Sequence, residues 1–185
     1  STPALTNQLD GDVGLDVKYG LTEGLTADFT YNTDFAQVEV DEQQVNLTRF
    51  SLFYPEKREF FLEGQGIFQF GGEGTNSFST GSTFQTSAPI LFFSRRIGLD
   101  DGSEVPILGG GRLTGTAGPY SIGLLNVQTG EASGGRAAST NFSTVRVKRN
   151  VLRRSAIGGI FTNRSVATNG GGSNQAYGVD GVFSF

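Results

Sequence analysis

Val13, Leu15, Val17 and Tyr19 alternate with Gly14, Asp16, Lys18 and Gly20. After Leu21-Thr22-Glu23-Gly24 the alternation resumes, with Leu25, Ala27, Phe29 and Tyr31 set against Thr26, Asp28, Thr30 and Asn32. A period of two puts successive side chains on opposite faces of an extended chain, so this stretch predicts a β-hairpin with one apolar and one polar face. Val13, Leu15, Val17, Tyr19, Leu25, Ala27, Phe29 and Tyr31 are expected to form one continuous apolar surface. Two environments accept such a pair. The apolar face can cover a soluble core, or it can meet lipid while the polar face lines a wet lumen.

The same pattern predicts strands over 45–53, 59–70, 90–98, 106–116, 120–129, 142–149, 154–164 and 176–185. With the first hairpin this makes an all-β antiparallel meander of about ten strands, without a helix longer than two turns. Many of these segments reach about 8 to 11 residues, longer than the usual globular strand and close to what crosses a bilayer at a tilt. Tight links at 21–24, 54–58, 117–119 and 150–153 contrast with Gly, Ser, Thr and Asn tracts at 71–89, 130–141 and 165–175. Short turns at one end and long loops at the other characterise outer-membrane barrels. Strict alternation fails, however, because the loops at 71–89 and 130–141 would fall on opposite sides if every predicted strand crossed. A hidden strand in 33–44, or a stretch at 59–70 that does not span, would resolve the mismatch.

Composition removes most chemistry. The 185 residues contain no His, Cys, Met or Trp, so no His-based triad, thiol nucleophile, thiolate metal site or disulfide can be assembled. No enzyme activity, cofactor or metal is expected. No apolar run approaches the roughly 18–20 residues of a spanning helix. Asp34, Glu39, Asp41 and Glu42 lack the spacing and glycine of a calcium loop. The Gly109-Gly110-Gly111 run is not followed by the Lys-Ser/Thr of a phosphate-binding loop. Carboxylate pairs such as Glu56 with Glu63, or Asp100 with Glu104, could serve a hydrolase only in a cleft that the sequence does not indicate.

Charge is unevenly spread: nine acids face one base before residue 43, and two acids face eight bases after residue 104. Arg146, Lys148, Arg149, Arg153 and Arg154 are interleaved with apolar residues at strand spacing rather than gathered on a helix, so nucleic acid is not an expected partner. The densest charged site is Glu56, Lys57, Arg58, Glu59 and Glu63, with Arg95 and Arg96 further along. Glu56, Glu59 or Glu63 is expected to pair with Arg95 or Arg96, as a structural network inside or at the rim of a barrel. A solvated turn after Pro55 and an ion-selective constriction are the other readings of these charges. Phe50, Phe53, Tyr54, Phe60, Phe61, Phe92 and Phe93 fall near predicted strand ends, as an interfacial aromatic belt or as core.

Asp34-Phe35-Ala36-Gln37-Val38-Glu39, the run Val45-Asn46-Leu47-Thr48-Arg49-Phe50-Ser51-Leu52-Phe53-Tyr54-Pro55-Glu56-Lys57-Arg58-Glu59-Phe60-Phe61-Leu62-Glu63-Gly64 and Phe92-Phe93-Ser94-Arg95-Arg96-Ile97-Gly98 resemble the C-terminal barrel region of the DUF5916 family. The resemblance continues through 106–115, 121–129 and 145–152. It implies a Gram-negative outer-membrane location, with the lipid bilayer as partner and a structural, pore or transport role. Proteins of this family usually carry an N-terminal carbohydrate-binding domain of family 9 type, absent from this sequence, so a carbohydrate role could come only through that domain. The family's barrel also runs on past the position of Phe185. Residues 1–185 are therefore expected to be a single β-barrel domain, a fragment of a larger barrel, with an open edge at 13–20. Tyr177, Val179, Phe183 and Phe185 form an aromatic-rich terminal pattern similar to the signal read by the barrel-assembly machinery. The competing function is a soluble all-β carbohydrate-binding module, though the sugar-stacking Trp residues such modules use are missing.

Overall fold

The computed structural model describes residues 14–32, 56–71, 89–100, 103–131, 137–166 and 171–184. Along these residues run β1 (Leu15–Thr22), β2 (Leu25–Tyr31), the single-turn helix α1 (Glu59–Leu62), and 3-10 turns at Gln65–Phe68 and Ser94–Arg96. Then come β3 (Leu99–Asp100), β4 (Ser103–Glu104), β5 (Ile107–Ala117), β6 (Tyr120–Thr129), β7 (Thr140–Leu152), β8 (Ser155–Arg164) and β9 (Asn174–Val182). Seven strands form one sheet in the order β1-β2-β5-β6-β7-β8-β9, every neighbouring pair antiparallel. The two-residue strands β3 and β4 pair separately.

The architecture is the expected antiparallel meander, with seven strands in the main sheet among the described residues where about ten were expected along the chain. Two predicted strands are corrected. Residues 59–70 form α1 and a 3-10 turn instead, broken at Gly64, whose φ of 68° is left-handed. Residues 90–98 form an irregular segment with a 3-10 turn. The expected strand at 45–53 lies outside the described residues, as do Val13, Asp34, Glu39, Asp41, Glu42 and Phe185.

Removing those two strands restores the sidedness that strict alternation had broken. Turns at Glu23–Gly24, Gly118–Pro119 and Arg153–Arg154 all lie at one end of the sheet, and the links 32–106, 130–139 and 165–173 all leave from the other. Backbone bonds brace both ends: Thr116 N to Gly24 O (2.7 Å) and Asn150 N to Pro119 O (2.9 Å) join the short turns, and Gly130 N to Pro106 O (2.8 Å) the opposite side. β1 and β9 are the sheet's edges among the described residues, as expected of an open form. Six antiparallel steps separate them, so they run in the same direction and could pair with each other only in parallel.

The predicted register of the first hairpin is correct. Val17 faces Phe29, Tyr19 faces Ala27 and Leu15 faces Tyr31. Phe29 and Tyr31 lie beside Gly111 and Gly109 of β5, where a Cβ on Gly111 would meet the Phe29 ring at 3.3 Å. The apolar face continues through Leu113, Ile122, Leu124, Val145, Val147, Ile157, Phe161, Tyr177 and Val179. This face is open: Tyr177 is 83% exposed, Val179 79% and Tyr31 66%.

The opposite face carries Lys18, Asp28, Thr30, Arg112, Thr114, Thr144, Arg146 and Asp180, and there the chain lays residues 56–71 and 89–98 across the strands. Phe61, Phe68, Ile97, Ile107, Leu125 and Val127 make a small apolar core between cover and sheet, with Phe60, Phe92 and Phe142 against it. Glycines let the cover approach: a Cβ on Gly123 would lie 2.8 Å from Ile67, and one on Gly178 would lie 2.7 Å from Phe70. Burying each such aromatic or aliphatic side chain contributes about 1.5–3 kcal/mol. The usual arrangement is thereby inverted, with ionised side chains buried and most large apolar ones open.

Candidate functional site

Strand register alone brings the first cluster together. Lys18 lies opposite Asp28, and Asp28 opposite Arg112, on three adjacent strands with their side chains on the covered face. Arg112 donates from Nη2 to Asp28 Oδ2 (2.6 Å) and to Glu63 Oε2 (3.1 Å), and from Nη1 to the carbonyls of Phe60 and Glu63. Lys18 Nζ donates to Glu63 Oε1. One guanidinium thus satisfies the C-terminal carbonyls of α1 while pairing with a strand carboxylate, which fixes the helical turn over β2 and β5. The Lys18 hydrogen bond holds the Glu63 carboxyl below the usual range against a small desolvation cost. Glu63 remains about half exposed, so solvent screens this pair.

The second cluster ties the two covering segments to each other. Arg58 Nε and Nη2 donate to the two oxygens of Glu56, each at 2.8 Å, a bidentate pair with both side chains nearly fully buried. The remaining Arg58 donors reach Ile97 O (2.6 Å) and Ser94 O (3.0 Å), and Ser94 Oγ donates to Glu56 Oε2 (2.6 Å). The Arg58 guanidinium also stacks over the Phe61 ring at 4.2 Å, a cation–π contact strengthened by desolvation.

Burial pushes the Glu56 carboxyl up, but hydrogen bonds and charge from Arg58, with the Ser94 hydroxyl, outweigh it and hold the group below its ordinary 4.5. A carboxylate depressed in the folded state stabilises fully above its unfolded value and loses that contribution as pH falls through the folded one. Acidification below about 4.5 should therefore loosen the joint between 56–62 and 94–97. Limited proteolysis of the cover as a function of pH should show that onset, and Glu56→Gln should already be cleaved faster at neutral pH and lose much of the dependence. Identical pH profiles for parent and variant would refute the assignment.

The third cluster bridges β7 and β9 across β8. Arg146 is fully buried and donates from Nη1 and Nη2 to Asp180 Oδ1 (2.6 Å) and Oδ2 (2.7 Å). The intervening position is Gly158, where a Cβ would lie 3.0 Å from both partners. The backbone N–H of Gly71, at the end of the cover, donates to Asp180 Oδ2 (3.1 Å), and the Phe70 ring lies 5.7 Å from the Arg146 guanidinium.

Of the residues expected to form one charge network, Glu56 meets Arg58 and Ser94, and Glu63 meets Lys18 and Arg112. Glu59 and Lys57 are exposed at the start of α1, while Arg95 is buried in the 3-10 turn and Arg96 exposed beside it. Lys18, Asp28, Arg112, Arg146 and Asp180 were not anticipated. Each is an alternating polar position in a recognised strand, but only the strand order shows that they converge. A cleft of about 280 Å³ opens beside the first cluster, lined by Asp16, Lys18, Asp28, Glu59, Glu63 and Arg112.

The profile of the family described as "Domain of unknown function (DUF5916)" matches residues 3–126. The chain belongs to the DUF5916 family. The match takes in the first two clusters whole, from Lys18 and Asp28 through Glu56–Gly64 and Ser94–Ile97 to Arg112, whereas Arg146 and Asp180 lie beyond it. Neither the curated proteins nor the solved structures contain a match to this DUF5916 chain.

Proposed function

We propose that this chain forms part of a Gram-negative outer-membrane β-barrel, with a structural or pore role rather than a catalytic one. The observation that carries the reading is the inversion of the sheet. A face with Tyr19, Phe29, Val145, Phe161, Tyr177 and Val179 exposed lies opposite one where Arg112 and Arg146 are buried. In water that distribution wastes the hydrophobic effect, whereas in a bilayer it places apolar side chains in lipid and charges in the lumen.

The edges of the apolar band support the same reading. Near the long links it gives way to Asn126, Gln128, Asn141 and Ser143, joined by hydrogen bonds of 2.8–3.3 Å. Near the short turns it ends at Tyr120 under the Arg149 guanidinium, 5.5 Å away, a pairing suited to the headgroup level. Residues 56–71 and 89–98 would occupy the lumen, held there by the three ionic clusters. Tyr177, Val179 and Phe183 on the outward side of β9 would offer the contact surface for the assembly machinery.

The deciding measurement is fractionation of the protein expressed with an export signal in a Gram-negative host. Recovery in the detergent-soluble outer-membrane fraction, with heat-modifiable migration on gels, is the expected result. Recovery as a folded protein in the aqueous fraction would overturn it in favour of a soluble all-β module.

A further inference from the structure

Where β7 turns into β8, the covered face holds a cleft of about 900 Å³. Lys148, Arg153 and Arg154 line it together with Ser121, Asn150 and Asp180. Asp180, the only carboxylate among the described residues that line it, is already committed to Arg146 and to the Gly71 N–H. Among the described residues, Lys148, Arg153 and Arg154 make no ion pair and no side-chain hydrogen bond. Lys148 is half-buried on the covered face, opposite Gly158, and a Cβ at Gly158 would lie 2.9 Å from its Cγ. The two arginines are exposed in the adjoining turn.

The carboxylate nearest Lys148 is Asp180, which Arg146 already engages with both oxygens, so three cations of the cleft share one committed counter-charge and an anion that enters supplies the charge they lack. Lysine presents a compact charge with three donors, and arginine a planar fork that matches two oxygens of a phosphoryl group. Three cations converging on one cleft, with the hydroxyl of Ser121 and the amide of Asn150 beside them, suit a doubly charged tetrahedral group better than a single carboxylate. The cleft is also far larger than a bare oxyanion, leaving space for an organic substituent.

We propose that this cleft binds a phosphate ester, with Lys148, Arg153 and Arg154 holding the phosphoryl oxygens and Ser121 and Asn150 facing the substituent. Nothing in the assignment requires the outward face to meet lipid. The phosphoryl group can belong to a soluble ester or to a phospholipid headgroup, and the experiment separates these sources.

The full chain in a zwitterionic detergent is titrated calorimetrically with glycerol 3-phosphate. In parallel, flotation measures its binding to vesicles of phosphatidylcholine with and without phosphatidylglycerol. Saturable binding in either arm is expected, weakening as salt rises. Arg153→Gln and Lys148→Met should each weaken it by about tenfold, the scale of one lost charge-assisted contact. Arg96→Gln, exposed in the 3-10 turn of the cover and outside this cleft, should leave it unchanged. Binding in the first arm identifies a soluble ester, and binding confined to phosphatidylglycerol vesicles identifies a headgroup. Circular dichroism verifies that each variant keeps its strands, and the exposed turn position of Arg153 makes that variant the one least coupled to folding. Absence of saturable binding in both arms, or equal affinity of parent and the Lys148, Arg153 and Arg154 triple variant, would overturn the proposal.

Discussion

Arg146→Ala is expected to lower the unfolding free energy by about 3–5 kcal/mol, the cost of leaving one half of a buried ion pair uncompensated. Its guanidinium is wholly enclosed and its partner Asp180 nearly so, at 12% side-chain exposure. Three parts of the molecule meet there: β7, the edge strand β9, and the end of the cover through the Gly71 N–H and the Phe70 ring. The variant should therefore release both the last strand and the cover, and the Asp180 carboxylate that remains would have only one backbone donor. Asp180→Asn, which keeps a polar acceptor in place, should cost less. The double variant Arg146→Met with Asp180→Met should recover much of the loss, because apolar replacement of an entire buried pair is often neutral or better. Urea unfolding followed by tyrosine fluorescence suits a chain with five Tyr and no Trp. An Arg146→Ala variant within about 1 kcal/mol of the parent would mean that the bridge stabilises no more than an exposed pair does.

The strands were legible because each alternates over most of its length, and alternation has one structural meaning when it persists through eight or more residues. From β5 to β9 the predicted spans differ from the observed ones by one to three residues at most ends. The two failures share a cause. Phe60-Phe61-Leu62 and Ile90-Leu91-Phe92-Phe93 are short, continuous apolar runs, which periodicity cannot distinguish from a buried strand, a helical turn or an irregular strap. What decides them is tertiary: Gly123 and Gly178 leave hollows in the sheet that Ile67, Phe68, Phe70 and Leu91 fill.

The charged site was legible by half. The motif from Glu56 to Glu63 marked one side of the contact correctly as a place where charge gathers. Its partners sit at unremarkable positions of ordinary strands, with Lys18, Asp28 and Arg112 scattered over about ninety residues. Only the pairing of β2 directly with β5, which skips all of 32–106, puts them side by side. Reading 59–70 and 90–98 as consecutive strands pointed to partners at Arg95 and Arg96, since consecutive strands are usually neighbours, and the segment carrying them does come close, through Ser94 and the Ile97 carbonyl.

A second large effect is expected on the outward face. Leu124 lies in the middle of the apolar band, between Leu113 of β5 and Val145 of β7. If that face meets lipid, Leu124→Arg must place a guanidinium near the bilayer midplane, at a cost of about 2–4 kcal/mol. Asn126→Arg, two residues along the same strand and on the same face, falls in the polar ladder with Asn141 and Ser143. Near an interface the same charge costs only about 0–1 kcal/mol. Both positions are exposed on one continuous surface, so in water both substitutions would be nearly neutral, within about 0.5 kcal/mol. The informative quantity is the difference between the two variants, measured as folding free energy into phospholipid vesicles. A penalty at Leu124 that exceeds the one at Asn126 by more than about 1 kcal/mol supports burial of the band in hydrocarbon. Equal and small penalties would leave the exposed apolar face without a membrane to explain it, and the search for its partner would turn to another protein surface.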